Sequence, residues 1–232
     1  MIITKYTLFR FFKNPLNLGL ACGLPTLLMF IPILWEDESG FGGGLSLVTF
    51  VIMASGFITS QVILTDRLEG TLTRIMVAPI SRGRYLSEVQ LACMLPLMIQ
   101  LVLVIGAGVM LHSWNIIFAL YLLLVYSVFA SASVSMAFMF FIFMKSKDGS
   151  TAGLSLLMTL MAAIGVMFTP VSLFPQVIQW VARALPTFWV VGGYEQLIIY
   201  GVATDSYWLS VGILVGFTFV FLLVGAHKKI VY

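Results

Sequence analysis

Charged side chains are scarce in this chain, and their scarcity excludes most classes of protein. Of the 232 residues only 9% are charged, 61% are hydrophobic, and the mean hydropathy is +1.09. A soluble domain carries about 25% charged residues, so this sequence cannot build a water-facing surface. A soluble enzyme, a nucleic-acid binder and a disordered chain are therefore excluded, and a membrane protein is indicated.

The chain is also poor in the residues that build metal and catalytic sites. Its two cysteines, Cys22 and Cys93, both lie in apolar runs, so no disulfide framework is implied. His112 and His227 are the only histidines, and neither has a metal-ligand or nucleophile partner at a usable spacing. We therefore expect no metal site and no catalytic residue in this chain.

Long uncharged stretches between the few charges predict membrane-spanning helices. A spanning helix needs about 20 apolar residues. Four gaps between charges hold one such helix each, and the 56-residue gap between Glu88 and Lys145 holds two. The six predicted spans are residues 16–35, 45–65, 87–110, 116–144, 151–169 and 207–226. None of them carries a charged residue in its interior, so the sequence predicts an all-α polytopic membrane protein with one transmembrane domain over 1–232.

A broken stretch follows the fifth predicted span. Pro170, Pro175 and Pro186 interrupt an apolar run that includes Phe174, and the segment 170–187 is too short to cross the bilayer alone. Irregular backbone at membrane depth survives only when it is buried in protein or lines a wet cavity. We interpret the segment as a re-entrant or interfacial half-helix that Pro186 ends, with a simple surface loop as the alternative.

The positive charges predict which side of the membrane each loop faces. With the N-terminus inside, eleven of the twelve Lys and Arg residues lie on the inner side, and only Arg183 lies outside. The five tryptophans then fall near the outer interface, where aromatic side chains gather. Residues 1–15 mix bases with apolar side chains, as in a helix at the inner surface before the first span. Both termini are therefore predicted to be cytoplasmic.

The most informative segment is the inner loop 66–84, which follows the second predicted span. Its apolar residues recur at helical spacing, namely Leu68, Leu72, Ile75 and Met76. Asp66 and Glu69 resemble a capping box at a helix start, and Pro79 ends the helix. The pattern predicts a short amphipathic helix over 66–79, joined directly to the second span. Such a helix either transmits a movement of a cytosolic partner to the membrane-spanning helices or only lies on lipid headgroups.

A known family pattern is visible in the same loop. It reads Asp66-Arg67-x-Glu69-Gly70-Thr71-Leu72, followed by Ala78-Pro79-Ile80-Ser81-Arg82 and Tyr85-Leu86. This order resembles the signature of exporter-type ABC transporter permeases of the type-2 family. The family has six spans with both ends inside, an amphipathic N-terminal elbow helix and a broken helical pair before the last span. In this sequence residues 10–15 resemble the elbow, and residues 169–186 resemble the outer half-helices.

The resemblance implies a set of site residues. In that family the loop is a coupling helix that docks in a groove of the ATP-hydrolysing subunit. The residues that would make this contact are Asp66, Arg67, Glu69, Gly70, Thr71, Arg74 and Pro79. The second and fifth spans of the family line the transport route near the dimer axis. The corresponding pathway residues are Thr49, Met53, Phe57, Ser60, Thr159, Met167 and Phe168.

The expected function is the membrane subunit of an ATP-driven exporter in a bacterial inner or cytoplasmic membrane. The chain has no GxxxxGK[ST] loop, so it does not bind ATP in the Walker manner. The resemblance implies two copies of an ABC subunit that bind ATP and Mg, and a second permease copy in a homo- or heterodimer. A path of Met, Phe and hydroxyl side chains suits a hydrophobic or amphipathic cargo such as a drug, peptide or lipid-like molecule.

Two alternatives stay open beside the exporter. The broken stretch before the last span also suits an ion-coupled carrier, because broken helices can bind ions through their backbone. A membrane immunity or scaffold protein would need no ATPase subunit. In all three cases we expect contact with membrane lipid, and neither a bound cofactor, nucleic acid nor enzymatic activity in this chain.

Overall fold

The computed structural model describes residues 2–13, 19, 23–31, 35, 43–71, 82–144, 146–169 and 173–227. Its helices within these ranges are α1 (Ile2–Lys13), α2 (Leu24–Leu28), α3 (Gly43–Leu68), α4 (Arg82–Leu111), α5 (Ile116–Phe143), α6 (Lys147–Ile164), α7 (Gln176–Arg183), α8 (Pro186–Tyr200) and α9 (Asp205–His227). No β-strand is present among the residues that are described, so the all-α prediction is confirmed for this part of the chain.

Four helices are long and apolar enough to cross a membrane, namely α3, α4, α5 and α9. They confirm the second, third, fourth and sixth predicted spans by length and composition. The first predicted span falls mostly outside the described residues, and only α2 and a few neighbouring residues of it are described. The helix predicted within residues 1–15 is confirmed as α1, which packs against α4.

The fifth predicted span is too long at its C-terminal end. The helix stops at Ile164 instead of Thr169. Its apolar part, Gly149–Ile164, is shorter than a helix that crosses the whole membrane, which needs about 20 residues. The backbone leaves the helix at Val166, whose φ angle is 66°, and at the adjacent Gly165 a Cβ atom would collide with the side chain of Thr187 in α8. Only a residue without a side chain lets α6 and α8 approach this closely.

The broken stretch before the last span contains two helices. Pro175 is the N-cap residue of α7, and Pro186 is the first residue of α8. Helix α7 thus ends before Pro186, and the same proline begins α8, because proline suits the first helical turn, where its missing N–H would have had no partner anyway. The carbonyl of Phe174 accepts a hydrogen bond from Gln179 at 2.9 Å, while Pro170 lies outside the described residues. The re-entrant position of this helix pair stays a prediction.

Helix α5 forms the centre of the bundle and packs against α3, α4, α8 and α9. Small residues bring the helices close together. A Cβ atom on Gly56 of α3 would lie 3.2 Å from the Cβ of Ser133, and one on Gly193 of α8 would lie 2.9 Å from Val125. Large aromatic side chains fill the rest of the core, among them Tyr126, Phe129, Phe138 and Tyr194.

The side-chain nitrogens of two buried glutamines of α4 differ in their hydrogen bonding, while neither amide oxygen has a partner among the described residues. Gln90 donates hydrogen bonds from Nε2 to the carbonyl and the hydroxyl of Ser131, both at 3.0 Å. Gln100 is 0% exposed, and in the described part of the chain neither its amide nitrogen nor its amide oxygen has a hydrogen-bond partner. A buried polar group without a partner destabilises the folded state by about 1–3 kcal/mol.

We expect Gln100→Leu to raise the free energy of unfolding by about 1–2 kcal/mol, because leucine fills a similar volume without a polar atom. The matched change Gln90→Leu is expected to lower it by a similar amount, because Ser131 loses its donor. Thermal unfolding of the purified protein in detergent, followed by tryptophan fluorescence, measures both. A lower unfolding temperature for Gln100→Leu would contradict the unpaired state of this amide.

Candidate functional site

The C-terminal end of α3 holds a buried carboxylate that joins three helices. Asp66 is 5% exposed. Its Oδ1 atom accepts a hydrogen bond from Nη1 of Arg10 in α1 at 2.5 Å, and its Oδ2 atom accepts one from the hydroxyl of Tyr85 in α4 at 2.9 Å. Tyr85 is itself buried. These three residues, named here the Asp66 clamp, hold α1, α3 and α4 together at one end of the bundle.

The predicted capping box at Asp66 is wrong. Asp66 lies in the last turn of α3, which runs without a break to Leu68, and it does not start a new helix. Its carboxylate accepts hydrogen bonds from the clamp side chains, which belong to other helices. Thr71 is helical and partly buried. Residues 72–81 lie outside the described part of the chain, and with them the predicted site residues Arg74 and Pro79.

The next residue, Arg67, secures a fourth helix. Its Nη1 atom donates to the carbonyl oxygens of Phe141, Ile142 and Met144, at 3.2, 2.7 and 2.8 Å. The last four carbonyl groups of a helix have no partner within that helix, and a cation beside them is favoured by the helix dipole. Arg67 therefore closes the C-terminal end of α5 and ties it to α3.

The chain leaves α3 through a turn that depends on Gly70. The φ angle of Gly70 is 71°, a left-handed conformation that glycine adopts without steric strain. Its N–H donates to the carbonyl of Arg67 at 3.2 Å. Leu68 is 45% exposed, and Glu69 is also exposed. The sequence motif is thus divided: Asp66 and Arg67 bind other helices of the same chain, while Leu68 and Glu69 are accessible from outside.

The predicted pathway residues fall into two separate groups. One group is fully buried on α3 and consists of Thr49, Met53, Phe57 and Ser60. In this group the hydroxyl of Thr49 donates to the carbonyl of Leu45 at 2.7 Å and lies 3.2 Å from the hydroxyl of Tyr126 in α5. The other group follows later in the chain and consists of the exposed Thr159 and Phe168 and the buried Met167. Five of the seven side chains are therefore buried, and Thr159 and Phe168 are exposed.

Helix α6 presents an exposed face that mixes hydroxyl and aliphatic side chains. The hydroxyl of Ser155 donates to the carbonyl of Thr151 at 3.0 Å, and that of Thr159 donates to the carbonyl of Ser155 at 2.9 Å. Leu156 and Leu160 are exposed beside them. Because these hydroxyl protons are used within the helix, the face offers an apolar surface with weak polar contacts.

Two residues of the Asp66 clamp were missed as site residues by the sequence analysis. The sequence patterns place Arg10 only in the elbow helix, and they place Tyr85 only at the C-terminal end of the motif. The available signal was weak: a basic residue on an amphipathic helix and a tyrosine near a helix start. Arg10 and Asp66 are 56 positions apart in the chain, and local patterns do not report a pairing over that distance.

We expect Arg10→Gln to lower the free energy of unfolding by about 2–3 kcal/mol and Asp66→Asn by only about 1 kcal/mol. The first change leaves a carboxylate that is 7% exposed with Tyr85 alone, whereas the second leaves a guanidinium side chain that is 45% exposed and reaches water. Denaturation in detergent measures the difference, with Lys13→Gln as the control on the same helix. Equal losses for the two variants would contradict the one-sided burial of the pair.

We expect Arg67→Gln to speed amide hydrogen exchange in the last turn of α5, because a neutral amide cannot replace the guanidinium contacts to three carbonyl groups. Hydrogen–deuterium exchange with mass spectrometry measures this effect. Lys5→Gln removes a positive charge from α1 and serves as the control. Unchanged exchange at the end of α5 in Arg67→Gln would show that this arginine does not stabilise it.

The chain matches a known family of membrane transporters over most of its length. The family model described as ABC-2 family transporter protein matches residues 38–227, a range that includes every helix from α3 to α9. No curated protein matches the chain. The matched range includes the Asp66–Tyr85 contact, the Arg67 contacts to α5 and the turn at Gly70. The chain therefore belongs to the ABC-2 transporter family and is a transmembrane permease of the ABC-2 type.

Proposed function

We propose that this permease is the membrane half of an ATP-driven exporter, which works as a dimer with two ATP-hydrolysing subunits. ATP and Mg bind in those subunits, and this chain holds no catalytic residue. The sequence supports an energy source outside the chain, because the predicted spans carry no charged residue in their interiors to bind a driving ion. The missing GxxxxGK[ST] loop supports it as well.

The observation that carries this proposal is an exposed turn joined directly to a clamped helix end. Leu68 and Glu69 are accessible, and the two residues before them connect α3 to α1, α4 and α5. Charge-assisted hydrogen bonds are among the stronger polar contacts, so a force on the turn acts on four helices together. We infer that the ATPase subunit docks on the segment 66–79, and that Asp66 and Arg67 hold this segment against the bundle.

Helix α3 supplies the mechanical link from the docking segment to the opposite end of the bundle. Its 26 residues span about 39 Å. Near its start, the hydroxyl of Ser46 lies 2.9 Å from that of Tyr194 in α8, and the hydroxyl of Thr49 contacts Tyr126 of α5. Closure of the ATPase pair thus moves a rigid helix that contacts the helix pair before the last span, and the two permease halves rock relative to each other.

The cargo is proposed to be hydrophobic or amphipathic and to move along the exposed face of α6. That face carries Ser155, Leu156, Thr159 and Leu160, and Phe168 follows it in the chain. Aliphatic and aromatic side chains with a few hydroxyl groups accommodate varied apolar shapes. The buried pathway residues of α3 act differently in this proposal: they transmit the movement of α3 to α5 and do not touch the cargo in the described conformation.

We expect Glu69→Arg to reduce capture of the ATPase subunit at least tenfold and to abolish ATP-dependent transport, because it reverses the accessible charge of the docking turn without touching the clamp. Co-purification and transport in liposomes measure the two effects. Candidate ATPase subunits are those of the host, beginning with any encoded beside this gene.

The matched control is Asp205→Arg, which reverses an acidic residue in the first turn of α9, at the end of the bundle away from Asp66. It is expected to leave binding and transport unchanged. Normal binding and transport by Glu69→Arg would show that the docking segment is assigned incorrectly. Transport by the purified permease alone, driven by an ion gradient, would favour the carrier function instead.

A further inference from the structure

A partly polar cavity of about 280 Å³ lies between α1, α3 and α4, beside the Asp66 clamp. It is separate from the exposed face of α6 and from the docking turn. Ligand pockets for drug-sized molecules measure roughly 300–1,000 Å³, so this cavity accommodates a small headgroup and the beginning of a chain. It is too small to enclose a large export cargo.

Polar and apolar side chains together line the cavity along α3. Arg10 and Thr65 line it beside the clamp, and Gln61 lies one turn further along α3. Ile58, Thr59 and Pro96 line the part further from the clamp. The seven positions from Thr65 to Ile58 correspond to about 10 Å along the helix axis. A cavity with Arg10 at one end, here called its mouth, and the aliphatic Ile58 and Pro96 at the other fits an amphipathic molecule whose polar end lies near Arg10.

Hydrogen-bond donors at the mouth favour an anionic group. The Arg10 guanidinium carries five N–H groups, and the Asp66 pair uses Nη1 while fixing the side chain at the mouth. Thr7 and Gln61 also line the cavity, and within the described residues neither side chain makes a hydrogen bond. Arginine recognises phosphate oxygens well, because its planar group can donate two parallel hydrogen bonds.

The exposed face of α1 favours a phospholipid as the source of such an anionic group. Phe9 is 66% and Phe12 44% exposed, and the bases Lys5 and Lys13 are exposed on the same helix. A basic helix with exposed aromatic side chains lies in the headgroup layer of an anionic leaflet. The cavity beneath α1 is therefore next to a supply of phospholipid at the level of its polar mouth.

We propose that this cavity binds one anionic phospholipid of the cytoplasmic leaflet, with its phosphate at Arg10, Gln61 and Thr7 and the start of an acyl chain against Ile58 and Pro96. The site is independent of the proposed export function. A lipid held here fills the space between α1 and the two helices that α1 covers, so it strengthens the same corner of the bundle as the Asp66 clamp.

Native mass spectrometry of the detergent-purified full chain, incubated with phosphatidylglycerol, tests this site. One lipid per chain is expected to stay bound. Ala92→Leu places a larger side chain in the cavity lining, where Ala92 is 2% exposed, and is expected to reduce lipid retention about tenfold, a factor that corresponds to about 1.4 kcal/mol. The matched control Ala184→Leu, at the exposed C-terminal end of α7, is expected to retain the lipid fully.

A second variant keeps the test decisive if Ala92→Leu does not fold. Gln61→Leu removes an amide that makes no hydrogen bond within the described residues, so the fold is preserved while retention falls several-fold. Wild-type retention in both folded variants, or no retained lipid in the wild type, would overturn the proposal. Displacement of the lipid by an equal concentration of glycerol 3-phosphate would overturn the lipid assignment and indicate a site for soluble phosphate esters.

Discussion

One buried carboxylate determines how the helices meet at one end of this permease. Asp66 is 5% exposed, and a buried charge without partners is strongly unfavourable. The end of α3 therefore requires Arg10 of α1 and Tyr85 of α4 to be in place. Arg67 adds α5 through three carbonyl groups. Two adjacent charged residues thus join four helices, in a chain where only 9% of the residues are charged.

The Asp66 clamp also explains how the exposed turn after α3 can act on the membrane-spanning helices of an ABC-2 permease. The polypeptide leaves the clamp through the turn at Gly70, where Leu68 and Glu69 are exposed. Helix α3 extends from this turn to Ser46, which contacts Tyr194 of α8. The exposed Leu68 and the contact with α8 therefore lie on one continuous helix. The lipid cavity lies beside it, where α1 covers α3 and α4.

Hydropathy predicted the long helices well, because about 20 consecutive apolar residues have few alternatives to a spanning helix. What it could not predict depends on contacts between distant residues. Helix α6 stops where Gly165 approaches Thr187, and Pro186 begins a helix whose place is set by its packing against α5 and α9. The motif placed Asp66 in a local cap, whereas the structure pairs it with a distant side chain. Its partner Arg10 lies 56 residues earlier in the sequence.

Distances between spin labels, measured with and without ATP, test the central claim that the helices joined by Asp66 and Arg67 move as one rigid unit. Labels at Phe9→Cys in α1 and Leu68→Cys in α3 report the corner itself, in a background without Cys22 and Cys93. Pulsed electron paramagnetic resonance of the complex with its ATPase subunits is expected to show an unchanged distance within each chain. The distance between the Leu68 positions of the two permease copies is expected to change. A changed distance within the chain, with the copies fixed, would contradict the account.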